Sequence, residues 1–333
     1  MDHLQFTHAI SRLRVLETKL LDRSKIERMI DSSSAEEALK ILGETEYSNY
    51  MSNIKRAEDY EILLGDELKR LYKLMYSISP EKSLIDIMAV RYDYHNIKVL
   101  LKDEKLNKDL SYLMIPVGTI DINNLKKMFK EDNYKELNEF MFESIKEANK
   151  MYEEEKDPQK IDIIVDAFMY KEMIYKSNII DEEFLREYFK SSIDLTNIKT
   201  LLRVKKQNKS RKFLEDVLID GGSIDIKEFL NYQLESIDNI SNKLSYTPYE
   251  KIVKMGFDEY NKTGNISYFE KLSEDYIMDK VKKGKYISFG VEPLIGYIFA
   301  KETEIKIIRI IMVGKLNNID PQIIRERLRD VYV

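Results

Sequence analysis

The sequence predicts an all-α fold, and three observations lead there. Only 11 glycines and 6 prolines occur among 333 residues, and helical proteins need little of the turn chemistry those residues supply. Apolar residues recur at three- and four-residue spacing in segment after segment, the period of a helix with one buried face. Alternating apolar–polar runs, the mark of half-buried strands, hardly appear.

Taken in order, Leu21-Asp22 followed by Ile26 and Met29 opens an early helix, with Asp22 placed to accept bonds from the free N–H groups of the first turn. Ser34-Ala35-Glu36-Glu37 has capping-box spacing, and Gly43 ends that short helix. Leu64, Leu68, Leu71, Met75 and Ile78 form one apolar stripe. Ser79-Pro80 then offers an N-cap and a proline for the first helical position. Asp157-Pro158 offers the same after the charged run Glu153-Glu154-Glu155-Lys156. Polar and charged residues cluster at Lys102–Leu113 and Lys205–Gly221, where breaks between modules are expected.

One phrase is written more than once. Asp93-Tyr94-His95-Asn96-Ile97-Lys98-Val99-Leu100-Leu101 matches Asp194-Leu195-Thr196-Asn197-Ile198-Lys199-Thr200-Leu201-Leu202, 101 positions later. Lys301-Glu302-Thr303-Glu304-Ile305-Lys306-Ile307-Ile308 is a third, weaker copy in which Glu304 replaces the Asn. A second phrase opens each unit: Gly118-Thr119-Ile120-Asp121-Ile122 and Gly222-Ser223-Ile224-Asp225-Ile226, with Leu21-Asp22 as a fainter version. From opening Asp to closing phrase the distances are 71, 73 and 76 residues. That near-constancy predicts three modules, placed at 1–110, 111–214 and 215–333.

The opening phrases read as helix caps, and Asp225-Ile226-Lys227-Glu228 also has capping-box spacing. The preceding Gly118 and Gly222 imply either positive φ or a close approach of another group. The closing phrases read as buried helix, with Ile97, Leu100, Leu101 and Ile198, Leu201, Leu202 at helical spacing. Asp93, Asn96, Asp194, Asn197 and Glu304 are expected to play a structural part, bonding between helices or capping, rather than hold a ligand.

The composition excludes several function classes. A net charge of −5 argues against a general nucleic-acid binder, which needs a basic excess to displace counterions. With no cysteine, disulfides, thiolate nucleophiles and cysteine-bound metals are ruled out. The three histidines, His3, His8 and His95, have no metal-ligand spacing. Gly284-Lys285-Tyr286 and Gly314-Lys315-Leu316 lack the rest of a phosphate-binding loop, and no dinucleotide fingerprint or nucleophile elbow occurs. Met1-Asp2-His3-Leu4-Gln5 does not resemble the start of a secretory signal. The nearest approach to a spanning segment, Ile305–Val313, is short and carries Lys306 and Arg309. A cytoplasmic protein without catalytic residues, cofactor or metal is expected, its membrane association made through a partner. An unrelated helical scaffold or adaptor would share this composition.

The only strongly basic run, Lys205-Lys206-Gln207-Asn208-Lys209-Ser210-Arg211-Lys212, reads first as a solvated helix end. Lys205, Lys206, Arg211 and Lys212 are the alternative docking candidates, with Arg325, Arg327 and Arg329 near the C-terminus.

The C-terminal stretch carries a family resemblance. Phe289-Gly290-Val291-Glu292-Pro293-Leu294-Ile295-Gly296-Tyr297-Ile298-Phe299-Ala300-Lys301-Glu302 runs into Thr303-Glu304-Ile305-Lys306-Ile307-Ile308-Arg309-Ile310-Ile311, then through Gly314-Lys315 to Ile324-Arg325-Glu326-Arg327-Leu328-Arg329 and Tyr332-Val333. It resembles the closing signature of the V-type/A-type rotary ATPase C subunit family, which includes the eukaryotic d subunit. Arg12-Leu13-Arg14-Val15-Leu16-Glu17, Leu20-Leu21-Asp22-Arg23, and the Asn96-Ile97-Lys98 and Asn197-Ile198-Lys199 phrases extend the similarity over nearly the whole chain. Ile307 departs from the Asn the third phrase would carry. The resemblance implies three similar helical-bundle domains around a pseudo-threefold axis, forming a funnel. It further implies a non-catalytic role in torque transmission, with the central-stalk subunits and the proteolipid rotor ring as partners and peripheral attachment to the membrane through them.

Overall fold

A computed structural model describes residues 2–333; Met1, the first residue of the first predicted module, lies outside the described residues. Among the described residues every regular element is helical. In chain order the α-helices are α1 (Thr7–Glu17), α2 (Arg23–Asp31), α3 (Ala35–Leu42), α4 (Tyr60–Ile78), α5 (Ser83–Leu106), α6 (Ile122–Glu131), α7 (Glu139–Glu155) and α8 (Pro158–Ile180). They continue as α9 (Glu183–Lys206), α10 (Arg211–Val217), α11 (Ile226–Tyr232), α12 (Ile237–Lys243), α13 (Glu250–Thr263), α14 (Ser267–Lys282), α15 (Glu292–Leu316) and α16 (Pro321–Arg327). Short 3-10 turns fill several of the connections. The chain divides into two compact units, a contiguous one over Asp86–Ile266 and a split one built from Asp2–Ile85 with Ser267–Val333.

In the split unit α15 is the central element, packed on by α1, α2, α3, α4, α14 and α16. Its sequence is apolar on all sides, from Leu294, Ile295 and Ile298 through Ile307, Ile308, Ile311 and Met312, all buried, as a helix with neighbours all round requires. Of the stripe read from the sequence, Leu64, Leu68, Leu71 and Met75 of α4 are buried, and Ile78 at the end of the helix is half-buried. The chain end is tied to α1, since Tyr332 Oη donates to Glu17 Oε1 at 3.1 Å. Arg14 Nη2 also donates to the carbonyls of Gly284 and Ile287. In the contiguous unit α7 and α8 pack along each other, α8 packs on α9, and α10 and α11 lie against α9.

The caps follow the sequence in most places. Asp22 accepts from Lys25 N–H, Asp121 from Asn123 and Asn124, and Asp225 from Lys227. Asp157 caps α8 with Pro158 at its first position. Three details differ. Ser79 is the C-cap of α4, its N–H donating to Met75 O, and α5 begins only at Ser83, so Pro80 lies in the connection. The carboxylate of Glu37 accepts from Ser33 N–H rather than Ser34, shifting the return bond of the capping box by one residue. Glu228 is turned to the Tyr232 hydroxyl. The first polar segment starts inside α5, which runs to Leu106, and the second contains α10.

Candidate functional site

The repeated polar residues are buried, and each set joins a closing helix to an opening phrase within one unit. On a helix, positions three apart share a face, so Asp93 and Asn96 of α5 point the same way, as do Asp194 and Asn197 of α9 and Lys301 and Glu304 of α15. All six are buried, none more than 4% exposed.

In the first seam Asp93 Oδ2 accepts from Thr119 N–H at 2.8 Å and from Thr119 Oγ1 at 2.7 Å, and Oδ1 accepts from Ile120 N–H at 3.0 Å. Asn96 bonds both ways with Ile115, donating to its carbonyl at 2.9 Å and accepting from its N–H at 2.8 Å. The second seam repeats this. Asp194 Oδ1 accepts from Ser223 N–H at 2.9 Å and Ile224 N–H at 3.1 Å, and Asn197 is bonded both ways to Ile219 at 2.7 and 2.9 Å. A backbone segment entering a helix without its own partners must find them elsewhere, and the two Asp–Asn pairs supply them. The closing phrase of one sequence repeat thus holds the opening phrase of the next.

The third seam follows the same rule with different residues. Glu304 Oε2 accepts from Leu21 N–H at 2.6 Å, so the last closing helix holds the first opening phrase. Its Oε1 accepts from Tyr47 Oη at 2.8 Å and from Lys301 Nζ at 2.6 Å. Lys301 Nζ also lies 2.9 Å from Glu67 Oε1, and Arg70 donates to both oxygens of Glu67 at 2.7 Å.

Gly118 and Gly222 are explained by close approach alone. Neither has positive φ. A Cβ on Gly118 would stand 2.0 Å from Asp93 Oδ1, and one on Gly222 would stand 2.2 Å from Asp194 Oδ1.

The electrostatics separate the seams. Burial pushes the Asp93 carboxyl up to about 6, against the pull of the Thr119 and Ile120 donors. Burial likewise raises Asp194, opposed by the Tyr249 hydroxyl, which donates to Oδ2 at 2.7 Å, and by the Ile224 and Ser223 amides. In the third seam burial would favour the neutral forms, but the partners win. Arg70 and Lys301 hold Glu67 below the ordinary carboxylate range, and Glu304 and Glu67 hold Lys301 well above its ordinary value.

Asp93 yields a direct expectation. Its native value lies above the ordinary 3.8, so the folded chain holds this proton more tightly than the unfolded one. The stability this group contributes is full below about pH 4 and is lost as pH rises through about 6. Carboxyl ¹³C NMR is expected to show Asp93 titrating near pH 6, and a midpoint below 4 would refute the assignment.

Three features of these seams escape the sequence reading. Thr45-Glu46-Tyr47 and Thr247-Pro248-Tyr249 form a recurring Thr-x-Tyr phrase, in which the Thr hydroxyl accepts from the Tyr N–H and the Tyr hydroxyl reaches the acid of the closing helix. Lys301 is hidden because a lysine in an apolar helix reads as a snorkelling surface residue. Each closing helix is also followed by an Asn in the left-handed region, Asn107, Asn208 and Asn318. The next N–H in each case bonds back across the turn, from Lys108 to Asp103, Lys209 to Val204 and Ile319 to Gly314.

The basic candidates fall into two groups. Lys205 donates to the carbonyls of Gln233 and Glu235 at 2.6 and 2.7 Å, and Arg211 to that of Leu230 at 2.6 Å. Arg325 pairs with Glu27 and Asp31, and Arg329 with Glu274. These four hold the chain's own termini and turns. The side chains of Lys206, Lys212 and Arg327 are exposed.

The arrangement is a set of clamps, in which every carboxylate described accepts from protein donors. The cavity beside Glu304, lined by Leu20, Leu21, Ile26 and Ile307 among others, has a volume of about 10 Å³, room for roughly one water. Among the described residues no group of three or more His, Cys, Asp or Glu side chains is placed to hold a metal ion, and no helix is long and apolar enough to cross a membrane.

Comparison with known proteins matches the sequence of this chain to one family. Residues 9–327 fit the family described as ATP synthase (C/AC39) subunit. The C subunit of the A-type ATP synthase of Methanocaldococcus jannaschii is 29% identical over 98% of this chain and 87% of its own length. The C subunit of the V-type sodium ATPase of Enterococcus hirae is 29% identical over 96% of this chain and 97% of its own. The C subunit of the A-type ATP synthase of Thermococcus kodakarensis is 24% identical over 98% and 91%. With the match running through all three closing helices, the chain belongs to the ATP synthase (C/AC39) subunit family.

Proposed function

We propose that the chain is a non-catalytic coupling subunit of a rotary V/A-type ATPase, a socket that joins the central stalk to the membrane rotor ring and passes torque between them. The observation that carries this is the family match over residues 9–327, which includes every seam. In this reading the repeats at 1–110, 111–214 and 215–333 are three modules set around a pseudo-threefold axis. A part that transmits torque must not dissipate it by bending. Interiors packed to native density are stiff, and backbone held at each opening phrase by a buried acid has little freedom to yield. The chain attaches to the membrane through its partners, in keeping with helices too short or too polar to span.

Lys206, Lys212 and Arg327 are the candidate cations left to face a partner, and they meet acidic surfaces on the stalk or ring. Complementary charge of this kind sets orientation and association rate, and it weakens as salt screens it. Binding of the purified chain to its cognate central-stalk subunits, followed by biosensor at low and high ionic strength, is expected to weaken as salt rises. The Lys206→Glu/Lys212→Glu variant is expected to bind more weakly with its helical circular dichroism unchanged. No binding to the stalk subunits at any salt concentration would overturn the coupling role. Binding indifferent to salt and to the two reversals would retain that role and place the contact on apolar surface.

A further inference from the structure

The three closing helices present the same face to three opening phrases, yet the third pair is written in a different chemical language. In the first two seams the opening offers two successive N–H groups, from Thr119 and Ile120 and from Ser223 and Ile224, to one Asp. It also offers the N–H and carbonyl of Ile115 or Ile219 to an Asn. A glycine admits the Asp. The third opening offers less. Leu20 N–H is already donated to Glu17 O at 3.2 Å, and α1 stays helical to Glu17, so the position matching Ile115 and Ile219 is the helical Leu16. Only Leu21 N–H remains for the closing helix. Opposite it, Lys301 stands where Asp93 and Asp194 stand, and Glu304 where Asn96 and Asn197 stand.

Each half would reject the wrong partner. On α15 a glycine-bearing opening would bring two N–H donors where Glu304 Oε2 takes one, as it does from Leu21, and would leave the other facing the Lys301 ammonium, itself a donor and only 2% exposed. On α5 or α9 the first opening would place Lys19, the counterpart of Gly118 and Gly222, where a Cβ comes within 2.0 or 2.2 Å of the Asp carboxylate.

We infer that Lys301 and Glu304, backed by Glu67, act as an address that selects the Leu20–Asp22 opening for α15 and refuses the other two. The three docking events in one chain are thereby kept in order, the third against a partner phrase separated by 283 positions. Near-identical seams would let α15 capture the wrong opening during folding, since a glycine-bearing phrase comes earlier to hand than the N-terminal one. Pairing specificity of this sort needs repulsion against the wrong partner as well as attraction to the right one. The inference is independent of the role proposed above.

The test recodes one seam in the full-length chain, with Glu67→Gln carried in every arm so that no acid is stranded. One arm converts the helix (Lys301→Asp/Glu304→Asn), one converts the opening (Lys19→Gly/Leu20→Thr), and one converts both. Thermal unfolding by circular dichroism is read with hydrogen exchange at the Leu21 amide. Each half-converted arm is expected to lose about 5 °C or more and to lower Leu21 protection about tenfold or more. The fully converted arm is expected to lose less than the two half-converted losses summed, because the new carboxylate then meets no Cβ at position 19. Half-converted chains that do not fold beside a full conversion that does would support the address equally. Additive losses, a full conversion that fails to fold, or half conversions without loss would each overturn it.

Discussion

Lys301→Met is expected to destabilise the split unit by about 3 kcal/mol, measured by urea unfolding followed by circular dichroism, the low end of what breaking a buried ion pair costs. Lys301 is 2% exposed, Glu67 0% and Glu304 4%, and one ammonium lies within 2.9 Å of both carboxylates. Removing it leaves two buried anions. Glu67 keeps Arg70, and Glu304 keeps the Leu21 amide and the Tyr47 hydroxyl, which is why the low end of the range applies. Methionine is close to lysine in volume, so a cavity adds little. Converting the acids as well, in Lys301→Met/Glu67→Gln/Glu304→Gln, is expected to recover at least half of the loss, because replacing a whole buried charge set is far cheaper than orphaning one member. A loss below about 1 kcal/mol in the single variant would show that the charges are solvated in solution, as exposed pairs are. The pH dependence has a definite sign. Lys301 is held above its ordinary 10.5, so the stability it contributes is complete below that value and is lost only as pH rises through the higher native one.

Much of the fold was legible because helices announce themselves locally. The Asp caps of α2, α6, α8 and α11 and the stripe on α4 depend on neighbours in sequence, and they stand where the pattern put them. Ser79-Pro80 misled for a physical reason. The same Ser that could cap the next helix closes the previous one through its own N–H, and local pattern has no means of ranking the two. The repeated Asp and Asn were visible as letters, but their partners were not. A bond from Asp93 to Thr119 spans 26 positions and one from Glu304 to Leu21 spans 283, and only the folded chain brings those together. The repeat does hold a subtler clue. Glycines matched three positions before Asp121 and Asp225, with none before Asp22, mirror Asp matched at 93 and 194 with lysine at 301. That covariation within one chain is what a close Asp–glycine contact in two seams and a different one in the third would leave behind. The Thr-x-Tyr phrases were hidden by their absence from the middle repeat, where the Thr119 hydroxyl donates to the acid instead.

Gly118→Ala is the sharpest probe of that contact. Its methyl would meet Asp93 Oδ1 at 2.0 Å, Cγ at 2.8 Å and the Asp93 amide nitrogen at 3.1 Å. The carboxylate cannot swing aside without releasing the Thr119 and Ile120 amides, and the backbone nitrogen does not move with the side chain. Hydrogen bonds to a charged group are worth about 1.5–3 kcal/mol each, so losing even one, with some displacement of the loop, predicts a cost of about 3 kcal/mol to the contiguous unit. Gly222→Ala is expected to behave the same way against Asp194, at 2.2 Å. Gly65 supplies the contrast: it lies inside α4 with nothing within 4 Å of the place a methyl would take, and Gly65→Ala should stabilise by about 0.5–1 kcal/mol through helix propensity alone. The decisive arm is Asp93→Ala. That change alone strips the opening phrase of its acceptor and is costly, but it also empties the space the new methyl needs. In its presence Gly118→Ala should cost less than about 1 kcal/mol, giving a coupling of about 2 kcal/mol between the two positions in urea denaturation. Equal cost with and without Asp93 would mean that the glycine is required by its own backbone, and the clamp would then have to be explained without it.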